Sequence, residues 1–287
     1  MKRFLIYTNI HKDEELALTT HIRTYLEAAG CEVHMLTEET ANDGDEARAD
    51  MCRGIPENLD CILVLGGDGT MLRAVRDVKE LHVPILGINL GTLGYMTEVE
   101  PEHIDEALKR LLDGDVELEE RMMLKAVLQS ADGSEVKQWA LNDVVIARCG
   151  SLQINDFNIY VNGQFLKKYS ADGVIVTTPT GSTGYNLSAG GPIAAPTTKL
   201  MMITPICPHT MYQRSIILSS EDEIVIEIPK GRAGKEQETE ASFDGSGHRL
   251  MRTGDRIVIN KSEQEVVFLK LNKISFLEIL SRKMSEN

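Results

Sequence analysis

The run Cys61-Ile62-Leu63-Val64-Leu65 is apolar at every position, and Gly66-Gly67-Asp68-Gly69-Thr70 follows it at once. A strand with no polar face has to be buried on both sides, which is the situation of a central strand in a parallel sheet covered by helices. Its neighbours fit that frame. Phe4 to Tyr7, Cys31 to Leu36 and Pro84 to Ile88 read as further strands. Residues 13 to 29 place Leu16, Ile22, Leu26 and Ala29 at helical spacing and stop at Gly30, while residues 71 to 79 and 101 to 112 predict two more helices. Strands alternating with helices define an α/β unit. The acidic stretch from Thr37 to Asp50 reads as a loop.

From about Arg121 the texture changes to strand-like runs: Leu124 to Gln129, Trp139 to Ala147, Phe157 to Val161, Ile216 to Leu218, Ile224 to Ile228, Arg256 to Ile259 and Val266 to Leu271. Asn162-Gly163 between two of them is a type I′ hairpin signal. This part predicts a β-rich, sandwich-like unit. The expected division is therefore residues 1–120 as a Rossmann-like parallel-sheet domain and 121–271 as the β-rich domain, with 272–287, helical over about 272 to 284, packing back on the first. Charge divides at the same place. Through Arg121 there are 12 basic and 26 acidic residues, and beyond it 18 of each, so the whole net charge of -14 lies in the first part.

That acidity disfavours a nucleic-acid-binding surface. The five cysteines are scattered with no CxxC pair, and read as reduced thiols rather than a zinc site or a disulfide frame. No run of 18 apolar residues and no amino-terminal signal stand in the 287 residues, so the expectation is a cytoplasmic chain with no membrane segment. Walker A, GxGxxG, HExxH and GxSxG patterns are absent too.

The loop after Leu65 stands where ligands of open α/β sheets bind, and its glycines and helix-start amides suit a phosphate. A carboxylate there repels phosphate unless it holds a metal or takes a proton; the alternative is that Asp68 merely caps the helix. Asn89-Leu90-Gly91-Thr92-Leu93-Gly94-Tyr95 follows another strand and is either a second ligand loop on that edge or a tight turn. Ser170-Ala171-Asp172-Gly173, the strand Val174-Ile175-Val176 and the hydroxyl-rich run Thr177 to Ser188 form the densest polar cluster. Hydroxyls there suit the ribose and amide edges of a nucleotide, with Tyr185 able to stack on a base. The alternative is a solvated loop with Ser182 or Thr183 capping a short helix. Asn142-Asp143 interrupts an apolar run, as a bulge, a turn or a pair of ligands for a diol.

The order and spacing of Leu65-Gly66-Gly67-Asp68-Gly69-Thr70, the loop from Asn89 to Tyr95, Asn142-Asp143 and Thr178-Pro179-Thr180-Gly181-Ser182-Thr183-Gly184-Tyr185 resemble the bacterial ATP-NAD kinases. Gly190-Gly191-Pro192 and Thr204-Pro205-Ile206-Cys207-Pro208-His209 extend the likeness along nearly the whole chain. It implies the NAD kinase/diacylglycerol kinase-like fold, with NAD between the two domains in a homodimer or homotetramer. The implied reaction is transfer of the terminal phosphoryl group of ATP, carried with Mg²⁺, to the adenosine-ribose 2′-hydroxyl of NAD. Asp68 is the implied base, and Gly67, Gly69, Thr70, Arg73 and Tyr95 are implied substrate- or cofactor-binding residues. Asn142 and Asp143 match the Asn-Glu pair that grips the ribose diol, with Asp one methylene shorter. Asp172 matches a contact to the nicotinamide half. Thr183, Gly184, Tyr185, Asn186, Leu187 and Ser188 fall on the NAD-binding segment, with Gly184 where Ala is usual. Ser170 stands where relatives carry a basic residue, and Asp244, with Ser246 after Gly245, matches a late contact. A lipid kinase sharing the GGDGT loop and a catalytically weak dinucleotide sensor are the rival readings.

Overall fold

The computed structural model describes residues 1–37, 55–56, 58–78, 81–92, 94–150, 154–210, 214–272 and 274–285. Most of the acidic loop predicted between Thr37 and Asp50, together with Cys52 and Leu93, lies outside them. The chain divides into two compact units, Met1–Glu120 with Val266–Asn287, and Arg121–Glu265.

The first unit runs β1 (Arg3–Thr8), α1 (Ala17–Ala28), β2 (Glu32–Thr37), β3 (Cys61–Gly66), α2 (Asp68–Val78), β4 (Ile85–Asn89) and α3 (Ile104–Asp113). Its strands lie in the order β2-β1-β3-β4, all parallel. Phe4, Ile6, Leu63, Leu65, Leu86 and Ile88 share one core with Ile22 and Leu26 of α1 and Leu108 and Leu111 of α3. The alternate residues Leu5, Ile62 and Val64 are equally buried, so β1 and β3 are covered on both faces, as the apolar run requires. Helix α1 ends as its sequence predicts: Gly30 takes φ +77° and its N–H donates to Glu27 O at 2.9 Å.

The second unit holds β5 (Glu117–Gln129), β6 (Glu135–Ala140), β7 (Asp143–Arg148), β8 (Asn155–Val161), β9 (Gln164–Ala171), β10 (Gly173–Thr177), the one-turn helix α4 (Tyr185–Ser188), β11 (Leu200–Ile206), β12 (Ile216–Ser219), β13 (Ile224–Glu227), β14 (Glu238–Phe243), β15 (Ser246–Arg252) and most of β16 (Arg256–Lys270). One antiparallel sheet has the order β12-β11-β10-β7-β14-β15. In the other, β16 pairs with β13, β13 with β8 and β8 with β9. Val144, Ile146, Val174 and Val176 of the first sheet share a core with Phe157, Ile159, Ile224 and Ile257 of the second, which is a sandwich. Asn162 and Gly163 both take positive φ (+50° and +74°) between β8 and β9, as a type I′ hairpin demands.

Two predicted boundaries are corrected. The run Trp139 to Ala147 is two strands broken at Leu141-Asn142, and the runs at 256–259 and 266–271 belong to one long β16. The predicted carboxyl-terminal segment contains α5 (Phe276–Ser285), whose Phe276 ring lies 6.1 Å from that of Tyr95.

Candidate active site

The parallel sheet of the first unit reverses its strand order between β1 and β3, because the chain steps from β1 outward to β2 and then back across to β3 and β4. Ligands of open α/β sheets bind at such a switch point, outside the carboxyl ends of the strands. The Gly66–Thr70 loop leaves β3 there. Asp68 is the first residue of α2, yet its carboxylate turns away from its own helix: Oδ2 accepts the Tyr95 N–H at 2.8 Å and Oδ1 the Met96 N–H at 3.0 Å. The capping alternative is therefore replaced by a bridge between the two glycine-rich loops. Each carboxylate oxygen keeps a lone pair for a further proton donor.

The glycines make that bridge possible. A Cβ at Gly94 would stand 2.0 Å from Asp68 Oδ1, and one at Gly66 would stand 2.3 Å from Thr70 Oγ1. Thr70 is buried and accepts Asn9 Nδ2 at 3.2 Å, while Gly69 has open space around it. Arg73 is exposed one turn along α2. Lys283 Nζ lies 5.1 Å from the centre of the Tyr95 ring, and burial, then the Asp68 charge, raise the Tyr95 phenol pKa.

In the second unit, Asn142 and Asp143 form the turn that breaks the predicted strand. The Asp244 carboxylate draws it together, accepting the N–H groups of Leu141 (2.7 Å), Asn142 (2.7 Å) and Asp143 (3.0 Å). From the other side, Thr177 Oγ1 donates to Asn142 O at 2.9 Å and Thr178 Oγ1 to Leu141 O at 2.6 Å. Asp244 is thus a positioning residue, held at φ +50° in the β14–β15 hairpin, and Ser246 Oγ closes that hairpin on Phe243 O at 3.0 Å. The turn leaves two acceptors unused. Asn142 Oδ1 is buried without a hydrogen-bond partner among the described residues. The buried Asp143 carboxyl has its pKa pushed up to about 7 by burial and then by the Asp244 charge.

The hydroxyl-rich run Thr177 to Ser188 is a short 3-10 turn over Thr180–Thr183 followed by α4, and neither Ser182 nor Thr183 caps it. Ser182 Oγ instead donates to Ala194 O and accepts Ala194 N, and Thr183 Oγ1 reaches Thr180 O at 3.4 Å. Asn186 is the hub of this loop. Its Nδ2 donates to Ser182 O and Pro192 O, and its Oδ1 accepts Thr204 Oγ1 at 2.6 Å. Leu187 and Ser188 are exposed, as is Tyr185 at 47%, its phenol pKa raised by burial and by the nearby Cys207, Asp172 and Asp143. Gly184 has φ −93°. Asp172 pairs with Arg148 Nε at 3.0 Å, and Ser170 Oγ donates to Asp156.

Sequence reading found the two glycine loops, the Asn142-Asp143 turn and the Thr177–Ser188 run, and missed Arg148 and the loop from Asn9 to Asp13. Arg148 carried no local signal, because only the pairing of Gly173 with Ala147 brings it beside Asp172.

An α/β unit whose switch point carries glycine loops around a fixed carboxylate, joined in one chain to a β-sandwich with a hydroxyl-rich loop, has the build of a nucleotide-dependent phosphoryl-transfer enzyme. Residues 4–116 match the model of the ATP-NAD kinase N-terminal domain and residues 141–271 that of the ATP-NAD kinase C-terminal domain, so the chain belongs to the ATP-NAD kinase family. It is 45% identical to the NAD kinase of Lachnospira eligens over 99% of this chain and 100% of that one. The NAD kinase of Agathobacter rectalis is 44% identical, with 99% of each chain covered. Among solved structures, an NAD kinase from Archaeoglobus fulgidus in complex with ATP superposes with a TM-score of 0.75 at 26% identity, covering 99% of both chains. Yeast NADH kinase complexed with NADH gives a TM-score of 0.83 at 24% identity, covering 100% of this chain and 88% of that one, a likeness of fold.

Proposed function

We propose that Asp68 is the general base in the family's reaction, ATP-dependent phosphorylation of NAD to NADP. The bond from the γ-phosphorus to its bridging oxygen breaks, the bond to the ribose 2′-oxygen forms, and the 2′-hydroxyl proton passes to Asp68, leaving ADP and NADP. A carboxylate is far less basic than an alkoxide, so the proton moves late. That suits a loose transition state in which positioning and charge neutralisation dominate. The observation that carries the assignment is the Asp68 carboxylate, fixed by two backbone amides with lone pairs to spare.

In the second unit, Asn142 Oδ1 and the Asp143 carboxyl accept the hydroxyls of a ribose diol, and Tyr185 offers a ring face to a base. Asp172 serves the nicotinamide half, beside Thr183, Gly184, Leu187 and Ser188, while Asn186, Asp244, Ser170 and Ser246 hold the shape of these loops. Phosphoryl chemistry is thus assigned to residues 1–120 with 272–287, and NAD binding to 121–271. A divalent metal such as Mg²⁺ arrives on the phosphates of ATP; no group of three His, Cys, Asp or Glu that would hold one stands among the described residues. A metal on ATP needs only one or two carboxylates from the protein. No helix among the described residues is long and apolar enough to cross a membrane. We place the chain in the cytoplasm as a homodimer or homotetramer.

The test is an incubation with NAD, ATP and Mg²⁺, read by a dehydrogenase specific for NADP, alongside Asp68→Asn. Loss of about 10²- to 10⁴-fold in the variant, with NAD binding kept, supports the base. Brisk turnover by Asp68→Asn refutes it, and binding of NAD without turnover by the wild type revives the sensor reading.

A further inference from the structure

We infer that Lys12 is a phosphate-binding residue of the reaction, its ammonium group seated on the terminal phosphoryl oxygens of the donor. The inference rests on the reading of Asp68 and its loops as the phosphoryl end of the site.

The loop that carries Lys12 leaves β1, the strand on the other side of the switch point from Asp68. It is anchored at both ends. Asn9 continues the pairing of β1 with β3, donating its N–H to Leu65 O at 3.0 Å. Its Oδ1 accepts His11 N at 3.0 Å, its carbonyl accepts the N–H groups of Lys12 (3.0 Å) and Asp13 (3.1 Å), and its Nδ2 reaches Thr70 of the glycine loop. At the far end Asp13 is buried, and its carboxylate accepts the N–H groups of Leu18 (3.0 Å) and Thr19 (2.9 Å) in the first turn of α1. The backbone of Lys12 is therefore fixed relative to the Gly66–Thr70 loop before any ligand arrives.

The side chain reaches over both glycine loops. Lys12 Nζ stands 3.1 Å from where a Cβ of Gly67 would be and 4.0 Å from that of Gly91. Any side chain at Gly67 would push the ammonium away, so the glycine opens the backbone to a cation as well as to a phosphate. Carboxylates outnumber cations in this part of the chain, yet the Lys12 ammonium forms no ion pair or hydrogen bond with any described residue. The carboxylate of Asp68, the acid of the neighbouring loop, is held by the Tyr95 and Met96 amides. An exposed cation beside glycine backbone, at the start of a helix and at the switch point of the sheet, has the chemistry of a phosphate clamp. In a loose transition state such a cation offsets the negative charge on the oxygens of the transferred group and its leaving group.

The test compares wild type with Lys12→Met, which keeps the stem and removes the charge, and Lys12→Arg, which keeps a charge. Initial rates are measured with ATP varied at saturating NAD and with NAD varied at saturating ATP, and binding of inorganic tripolyphosphate and of NAD is followed by calorimetry. Lys12→Met is expected to lower kcat/KM for ATP by about 10²- to 10³-fold, to weaken tripolyphosphate binding, and to leave NAD affinity within about twofold. Lys12→Arg recovers part of the loss. Unchanged ATP kinetics, or an equal loss of ATP and NAD affinity, overturns the inference. Should Lys12→Met unfold, Lys12→Gln takes its place, and the tripolyphosphate measurement decides. A wild type that binds tripolyphosphate through Lys12 but makes no NADP would refute the reaction and leave the phosphate clamp standing.

Discussion

The two candidate regions, one in each unit, are built in opposite ways. In the first unit, a carboxylate and an ammonium are set against bare backbone: amides hold Asp68, and glycines open the space that Lys12 overhangs. In the second unit, polar side chains are spent on holding backbone, and Asn186, Asp244, Thr177 and Thr178 shape a loop and a turn from which few groups are left for a ligand. The difference separates chemistry from stability. Changes in the first half should cost turnover with little loss of fold, and changes in the second should cost fold first. Gly94→Ala is the sharpest case for the first half: a methyl 2.0 Å from Asp68 Oδ1 must displace the carboxylate. Turnover is expected to fall about as far as in Asp68→Asn, on the order of 10²- to 10⁴-fold, while NAD affinity stays within about threefold. An active Gly94→Ala enzyme would mean that the position of Asp68 matters little, and the contrast would fail.

The matching change in the second half is Asn186→Ala. It leaves Ser182 O, Pro192 O and Thr204 Oγ1 without their buried partner, and such groups cost about 1 to 3 kcal/mol each when unsatisfied. Part of that is recovered where Thr204 keeps its contact with Ser215. Destabilisation of about 3 kcal/mol or more in urea unfolding is expected. Loss of NAD affinity with unchanged stability would instead make Asn186 a direct ligand and erase the distinction.

The same contrast explains what the sequence revealed. Local patterns carried the strands, because a fully apolar run such as Cys61–Leu65 has one physical solution, and they carried the Asn162-Gly163 hairpin, because few residues accept two positive φ values in succession. They carried the glycine loops for a related reason. What they could not carry depends on partners far along the chain. Asp68 looks like a helix cap until Tyr95 and Met96 are brought to it, and the break at Leu141-Asn142 exists because Asp244, about a hundred residues on, gathers its amides. Likewise Arg256 to Ile259 and Val266 to Leu271 read as separate runs, although β16 continues through the polar stretch between them with Ser262 buried. Lys12 is invisible for the same reason, since an isolated Lys in an acidic segment reads as solvated until β1 and β3 are placed side by side.

The next prediction uses pH. Asp143 has a pKa near 7 in the folded protein, above the ordinary carboxylate value of about 3.9 expected in the unfolded chain. The folded state therefore holds this proton more tightly, so the stability linked to it is fully present below about pH 4 and is lost as pH rises through 7. Asp143→Asn removes that dependence. Relative to the variant, the ligand-free wild type should lose about 2 kcal/mol between pH 5 and pH 8, measured by urea unfolding at each pH. Parallel stability curves would show that Asp143 is ionised at an ordinary pKa, and its use as a strained diol acceptor would have to be given up.

The smallest effect is expected at Gly184. Its φ of −93° lies outside the left-handed region that favours glycine, and an added methyl would meet Gly181 O at 3.3 Å and Asn142 Nδ2 at 3.6 Å. The first contact is tight by a few tenths of an ångström and the second is ordinary, so strain is small. Against it stands the reduced freedom of the unfolded chain, which favours Ala by about 0.4 to 1 kcal/mol where the backbone permits. The two nearly cancel, and Gly184→Ala should change stability by less than about 1 kcal/mol and KM for NAD by less than about threefold. The methyl touches Asn142, whose Oδ1 is the unused acceptor of the turn, so NAD affinity is the sensitive readout. A tenfold change in KM with stability held would show that the loop and the turn move as one rigid part of the NAD site, and that packing in the second unit reaches the ligand directly.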